Sequence, residues 1–180
     1  ECRAIYTKAV ILSPDLNNVV LSEKIGWEFS YYTKICKLLN DMNIEVACIK
    51  ARSEDHFSKG GVAPEILNIG DKEIPVLYGY SSFTDALDMA DFAIGPISTA
   101  FVEAHLSGKD YYMFDSDEHH MFSNSLSKGL YEFAYVSTTI EQLKENIKNK
   151  NIFKKKYTID NFIDLTDINS EEELYKNYEQ

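Results

Sequence analysis

The first third of the chain alternates apolar runs with an amphipathic segment. Residues 9–12 are apolar and are closed by Ser13 and Pro14, which is typical of a buried strand that runs into a loop. Residues 24–42 carry apolar side chains at helical spacing, and residues 44–49 form a second apolar run. Because β-α-β units have parallel strands and a right-handed crossover in nearly all proteins, this order predicts an α/β sheet.

Similar elements follow in the rest of the chain. The remaining predicted strands lie at residues 74–78, 92–94, 111–114 and 133–136. The remaining predicted helices lie at residues 82–90, 99–107 and 139–149, the first of them capped by Ser81 or Ser82. Residues 50–70 show no clear period and predict a loop with a candidate short helix at 64–68. The polar residues 116–129 predict a surface loop.

This order predicts one α/β domain. We expect a Rossmann-like three-layer α/β/α arrangement over residues 1–150, with a mostly parallel sheet of about six strands. Residues 151–180 predict a C-terminal extension that ends in a helix, since Ser170 and Glu173 have the spacing of a capping box. We expect this extension to pack on the same domain or on a missing N-terminal half. The chain starts at Glu1 without a methionine, so we expect it to be a piece of a longer protein.

Composition narrows the classes of partner. The net charge is −11, and basic residues cluster only at residues 154–156, so nucleic acid is not an expected partner. Hydrophobic residues make up 44% of the sequence, which predicts a globular domain, but no run approaches the ~20 apolar residues of a membrane span. Three widely spaced cysteines favour a chain whose thiols stay reduced, as in the cytoplasm. The inner face of the membrane is an alternative position within the cytoplasm.

The residues from Gly95 onward have the chemistry of an anion site. Gly95 and Pro96 force a turn after a strand, at the carboxyl edge of the sheet, where open α/β folds bind ligands. Ser98 is placed to cap the next helix, whose first amide groups and dipole favour a phosphate. Thr99 and Glu103 are four residues apart, so a hydroxyl suited to phosphate and a carboxylate suited to ribose share one face. A capped helix that binds nothing is the alternative interpretation.

The same stretch resembles a known family. Its motif reads Ser98-Thr99-Ala100-x-x-Glu103-Ala104-x-x-x-Gly108-Lys109, preceded by Asp85-x-Leu87-x-x-Ala90-Asp91. This is similar to the donor-site signature of GT-B glycosyltransferases, and most similar to those that build bacterial capsular and other surface polysaccharides. The resemblance implies that Ser98 and Thr99 lie at the phosphates of the donor and that Glu103 binds its ribose. It covers residues 81–115.

The resemblance also implies a reaction and its partners. The chain would be the C-terminal, nucleotide-sugar-binding half of an enzyme that transfers a sugar, or a related group, from a nucleotide-activated donor to a surface glycan acceptor. The catalytic base would lie on the N-terminal half of the parent protein, so no residue of this chain is assigned a catalytic role. No cofactor is implied.

The sequence departs from the family at two positions. Related transferases often carry a His-Pro pair after the strand equivalent to residues 44–49, but this chain reads Lys50-Ala-Arg-Ser-Glu-Asp-His56. Lys50 or Arg52 could supply positive charge for the phosphates instead, although a lone basic residue after a strand is usually simply solvated. Many members also carry proline after the Gly-Lys step, where this chain has Asp110.

Two other functions remain open. Asp115 and Asp117 follow an apolar strand in the D-x-D pattern with which GT-A glycosyltransferases hold Mg²⁺ or Mn²⁺, and His119 and His120 add candidate ligands. Aspartates after a strand are also common turn formers. The other alternative is a non-catalytic α/β module that binds a protein partner. His105 is either a further site residue or a packed helix histidine.

Overall fold

The computed structural model describes residues 6–14, 21–51, 65–78, 83–116 and 131–154, together with Thr158. The strands within these ranges are β1 (Lys8–Leu12), β2 (Glu45–Lys50), β3 (Ile66–Ile69), β4 (Lys72–Leu77), β5 (Phe92–Gly95), β6 (Asp110–Phe114) and β7 (Val136–Ser137). They form one seven-stranded sheet in the order β3-β4-β2-β1-β5-β6-β7.

Helices cover both faces of this sheet. They are α1 (Leu21–Asp41), α2 (Phe83–Asp88), α3 (Ala100–Leu106) and α4 (Ile140–Asn149). Successive side chains of a strand point to opposite faces of the sheet, so the contacts of β6 show which helices lie on which face. Tyr111 packs against Phe83 and Phe101, at α2 and α3, whereas Phe114 stacks on Tyr31 of α1. Because α4 contacts α1 and α2 contacts α3, the domain has three layers.

The strand order is that of a Rossmann fold. Every neighbouring pair is parallel except β3 with β4. The parallel strands run outward from β1 to β2 and β4, and the chain then returns across the sheet to β5, β6 and β7. This confirms the predicted Rossmann-like α/β class. Since the direction of winding reverses between β1 and β5, a crevice opens at the carboxyl ends of these two central strands.

The central elements follow the hydrophobic pattern closely. Phe92 and Ile94 in β5 have no exposed surface, and neither do the three middle residues of β1, which is why these strands read as continuous apolar runs. In α1, Ile35 and Leu39 are fully buried, while Lys37 lies on the exposed side. Among the described helices, none combines the length and apolar character that crossing a membrane requires.

The segment before β4 differs from its prediction. Residues 66–69 form strand β3, antiparallel to β4, and not a loop or a short helix. Gly70 begins the two-residue turn between Ile69 and Lys72, and its φ of 61° is one that glycine adopts without strain. In β3 only Ile69 is buried, so this edge strand has too little apolar alternation to be recognised from its own sequence.

The last strand also begins later than predicted. Residues 131–133 are helical, and β7 starts at Val136, so the predicted strand at 133–136 is wrong over most of its length. Ala134 forms an isolated antiparallel bridge with Phe153. The apolar run therefore reflects burial of Phe133 and Ala134 in the core and not pairing within the main sheet.

The described start of the C-terminal extension packs on this same domain. The amide of Tyr135 donates to the carbonyl of Ile152, and the amide of Lys154 donates to the carbonyl of Phe133, both at 2.8 Å. The ring of Phe153 contacts that of Phe101 in α3. The capping box predicted at residues 170–173 lies outside the described residues, and so does the loop predicted at 116–129 except for Ser116.

Gly95 ends β5 at a point where the backbone and Tyr111 approach each other closely. A methyl group on residue 95 would overlap with the hydroxyl of Tyr111 and would lie 2.9 Å from Cβ of Leu12. The Tyr111 hydroxyl donates to the buried carbonyl of Pro96 at 2.7 Å, which holds the turn after β5 against β6. The need for glycine here comes from lack of space and not from backbone conformation.

We expect Gly95→Ala to lower the free energy of unfolding by about 1–3 kcal/mol, because the added methyl group overpacks the junction of β1, β5 and β6. Adding Tyr111→Phe should recover part of this loss, since the closest clashing atom is the hydroxyl oxygen. Urea denaturation of both single variants and the double variant measures this coupling. Gly26→Ala is the matched control, because a methyl group there meets no atom within 4 Å and should stabilise α1. Additive effects of Gly95→Ala and Tyr111→Phe would contradict the packing argument.

Candidate functional site

A cavity of about 210 Å³ lies at the topological switch point of the sheet. We call it the switch-point cavity. Leu12 and Ser13 at the end of β1 line it, as do Lys50 and Ala51 at the end of β2. The turn after β5, the first turns of α3 and Phe83 at the start of α2 complete its wall. Ligands of open α/β sheets bind at this location, outside the carboxyl ends of the strands.

The structure brings together most of the residues that the sequence selected for donor binding. Five of them line the switch-point cavity: Lys50, Pro96, Ser98, Thr99 and Glu103. Gly95 is buried next to the cavity and admits no side chain. Arg52 lies outside the described residues. The cavity therefore joins the two separate sequence regions in which candidate phosphate ligands were found.

Ser98 supplies a side-chain acceptor at the start of α3, although the residue that directly precedes the helix is Thr99. Its Oγ accepts from the amide of Ala100 at 3.3 Å, and Thr99 already has helical φ and ψ angles. The amides of Phe101 and Val102 donate to the carbonyls of Ser98 and Thr99. Because these first-turn amides are engaged and α3 spans only seven residues, an anion in the cavity would depend on side chains more than on the helix terminus expected from the sequence.

Thr99 and Glu103 face the cavity from the same side of α3, as their spacing predicted. Both residues are exposed. Thr99 makes no capping hydrogen bond, and Glu103 accepts from the hydroxyl of Thr84 in α2 at 3.2 Å. Glu103 is thus held between two helices at the cavity rim while it keeps the remaining acceptor capacity of its carboxylate.

Lys50 reaches the cavity from the end of β2. Its ammonium donates to the carbonyl of Ala51 at 2.9 Å, and its own carbonyl accepts from the amide of Ser13 at 3.0 Å. The second of these bonds joins the ends of β1 and β2 beyond their paired strands. Lys50 therefore lines the same cavity as Ser98 and Thr99, and a cation together with hydroxyl donors suits a phosphate.

The sequence did not single out four other residues of the cavity wall, namely Leu12, Ser13, Ala51 and Phe83. For Ser13 a signal was present, because it is a polar residue that directly follows a buried strand and precedes a proline. Ser13 is only 2% exposed, so the end of β1 is closed over by the rest of the domain. Phe83 gave no comparable signal, since its role depends on where α2 packs.

Of the candidate ligands of the alternative metal site, only Asp115 lies within the described residues. Asp115 is buried, and its Oδ2 accepts from the hydroxyl of Tyr131 at 2.7 Å. Asp117, His119 and His120 lie outside the described residues. Within the described ranges, no group of three or more His, Cys, Asp and Glu side chains could hold a metal ion.

His105 lies on α3 away from the residues that line the switch-point cavity. Its ring packs between the rings of Phe101 and Phe153, with centroid distances of 4.6 and 4.9 Å. Its Nε2 is buried without a hydrogen-bond partner among the described residues. Burial lowers the pKa of His105 below its ordinary value of 6.5, and the charge of Asp110 offsets this only in part. This geometry favours the packed helix histidine over a site residue.

We expect Ser98→Ala to lower the free energy of unfolding by about 1 kcal/mol, because α3 loses its capping acceptor. Ser98→Asp should keep the cap. Thr99→Ala is the neighbouring control, since its side chain makes no capping hydrogen bond, and the change should stay within about 0.5 kcal/mol. Urea denaturation at constant pH makes the comparison. Equal losses in the two alanine variants would show that Ser98 is not the cap.

We expect the stability of the protein to depend on the protonation of His105. The folded state binds its proton more weakly than the unfolded state, so the contribution of neutral His105 is complete above pH 6.5. It is lost as the pH falls from 6.5 through the lower folded-state pKa, by at most about 1.4 kcal/mol per pH unit. His105→Phe keeps an aromatic ring without a titrating group, and it should show a shallower fall between pH 7.5 and 5.5 in urea denaturation. Parallel curves for the two proteins would contradict this expectation.

The fold and the cavity together define this chain as a Rossmann-like α/β domain with a candidate ligand site at its topological switch point. Compared with protein-family models, with curated proteins and with solved structures, the chain gives no match.

Proposed function

We propose that this chain is the donor-binding half of a GT-B-type glycosyltransferase that moves a sugar, or a related group, from a nucleotide-activated donor to a surface glycan. One observation carries the proposal. Lys50 and the Ser98, Thr99 and Glu103 motif, selected from separate parts of the sequence, line the same cavity at the topological switch point.

The cavity has groups that suit the diphosphate of such a donor. Lys50 supplies a positive charge, and the hydroxyl of Ser98 can still donate a hydrogen bond, because its oxygen serves as acceptor for the amide of Ala100. The hydroxyl of Thr99 is on the exposed side of the same turn. A volume of about 210 Å³ is below the usual range for sites that enclose a whole ligand, roughly 300–1,000 Å³. We therefore assign this cavity the phosphates, with the remainder of the donor outside it.

Glu103 suits the ribose. It lies one turn along α3 from Thr99, on the same cavity wall, and a carboxylate accepts hydrogen bonds from vicinal hydroxyls. The hydrogen bond from Thr84 holds the carboxylate in place and leaves acceptor sites open. Such a placement fixes the nucleoside relative to the phosphates bound by Lys50 and Ser98.

The transfer itself requires a second domain. An acceptor hydroxyl attacks the anomeric carbon of the donor sugar, the bond from that carbon to the diphosphate oxygen breaks, and the hydroxyl proton passes to a base. Lys50 and the two hydroxyls would stabilise the charge that develops on the leaving diphosphate. The base belongs to the proposed N-terminal half, so we expect this chain alone to bind donor without transferring it.

We expect uridine, cytidine, guanosine or adenosine diphosphate, titrated without divalent metal, to shift the amide NMR signals of Lys50, Ser98, Thr99 and Glu103. Glu103→Ala should weaken the best of these nucleotides about tenfold, because it removes a charged acceptor for the ribose. Glu145→Ala is the matched control, since it removes an exposed glutamate from a different helix, away from the switch-point cavity. Urea denaturation of both variants tests that the fold is kept.

Other outcomes of this titration would overturn the proposal. Shifts confined to residues away from the switch-point cavity would show that the donor binds elsewhere. Binding that requires Mn²⁺, is lost in Asp117→Ala and survives Glu103→Ala would favour the metal-dependent GT-A reaction. A chain that responds to none of the four nucleotides, but copurifies with a protein partner, would favour the interaction module.

A further inference from the structure

The short helix α2 lies beside α3 at the switch-point cavity. Phe83 at its start lines the cavity, and the ring of Phe83 meets that of Tyr111 edge to face, with the centroids 6.4 Å apart. Ala86 and Leu87, one turn farther along α2, are buried in the core. These contacts anchor α2 on the sheet, so a side chain at the start of α2 has a defined position relative to the cavity.

Thr84 follows Phe83 and connects α2 to the carboxylate that we assign to the ribose. Its hydroxyl donates to Oε1 of Glu103 in α3 at 3.2 Å. Rotation about the last bond of a glutamate side chain is only weakly restricted, so a carboxylate without such a donor samples many orientations. The bond from Thr84 restricts this rotation while Glu103 remains exposed at the cavity.

A carboxylate that is oriented in this way can distinguish one sugar from another. Its two oxygens offer about four acceptor positions, and Thr84 occupies one of them at Oε1. The 2′- and 3′-hydroxyls of a ribose are neighbours, and both donate well to one carboxylate only when they lie near its plane. A 2′-deoxyribose has one hydroxyl fewer. An oriented Glu103 therefore favours ribose over deoxyribose.

We propose that Thr84 is a positioning residue, which orients Glu103 so that the switch-point cavity selects ribonucleoside diphosphates over their 2′-deoxy forms. The inference rests on the function proposed for this cavity, since it takes Glu103 as the acceptor for the ribose. Thr84 acts through Oε1 of Glu103 and not by contact with the ligand. Its effect is confined to the sugar, because the phosphates are assigned to Lys50 and Ser98.

The experiment compares the affinity of each of the four nucleoside diphosphates with that of its 2′-deoxy form, by NMR titration without divalent metal. In the unmodified chain the ribose form should bind about tenfold more tightly, because the deoxy form lacks one hydrogen bond to a charged acceptor. Thr84→Val keeps a β-branched side chain without a donor, and it should lower this preference to about threefold or less. Thr84→Ser keeps the hydroxyl and should retain most of the preference.

Inorganic pyrophosphate separates positioning from structural damage. Because it has no sugar, its affinity should be the same in Thr84→Val as in the unmodified chain. In a chain that already carries Glu103→Ala, the further change Thr84→Val should not alter the ribose preference, since Thr84 acts through Glu103. Thr33→Val is the matched control. It removes a threonine hydroxyl from another helix, where that hydroxyl donates to the carbonyl of Phe29 away from the switch-point cavity.

The possible results distinguish this inference from the proposed function. If nucleotides bind at the cavity and are weakened by Glu103→Ala, but Thr84→Val keeps the full ribose preference, the inference is wrong and the proposed function is not. Equal weakening of nucleotides and pyrophosphate in Thr84→Val would show a structural effect and would also overturn the inference. If none of the four nucleotides shifts the signals of the cavity residues, the proposed function fails and the inference fails with it.

Discussion

The pairing of β1 with β5 is the interaction on which the rest of this structure depends. Three residue pairs join the two strands, and all six residues have no exposed surface. At the start of the strands, Asp91 accepts from the amides of Thr7 and Lys8, and these bonds lower the pKa of Asp91 while they align β5 with β1. The chain leaves the other ends of β1 and β5 in opposite directions, so an opening between them is a consequence of the topology.

This central pairing also explains how the switch-point cavity obtains its residues. The end of β2 is brought beside the end of β1, which places Lys50 near the turn after β5. Gly95 allows that turn to lie directly on Tyr111, and the hydrogen bond from Tyr111 to Pro96 holds it there. The same packing that stabilises the core therefore brings Lys50 and the hydroxyl residues of the site to one cavity.

The switch-point cavity is formed at the ends of parallel strands and contains lysine on a strongly acidic chain. Because salt screens distant charges, an anionic ligand would be selected by the few groups it touches and not by the overall charge. The first amides of α3 are engaged by Ser98 and Thr99, so these few groups are mainly side chains.

The sequence by itself determined the elements whose burial is regular. The continuous apolar runs of β1 and β5 and the helical period of α1 predict their own structure, because one buried face repeats along each element. The spacing of Thr99 and Glu103 likewise predicts a shared helix face. The sequence missed β3, whose mostly exposed residues are ordered by backbone pairing with β4, and it misplaced β7 because burial of Phe133 resembles strand burial.

Only the tertiary structure decided which of these elements meet. Lys50 and Ser98 are far apart along the chain, and no local pattern could show that strand order brings them to one cavity. The same holds for Phe83 in that wall. Local periodicity reports which face of an element is buried, whereas the choice of partner for that face depends on packing between distant segments.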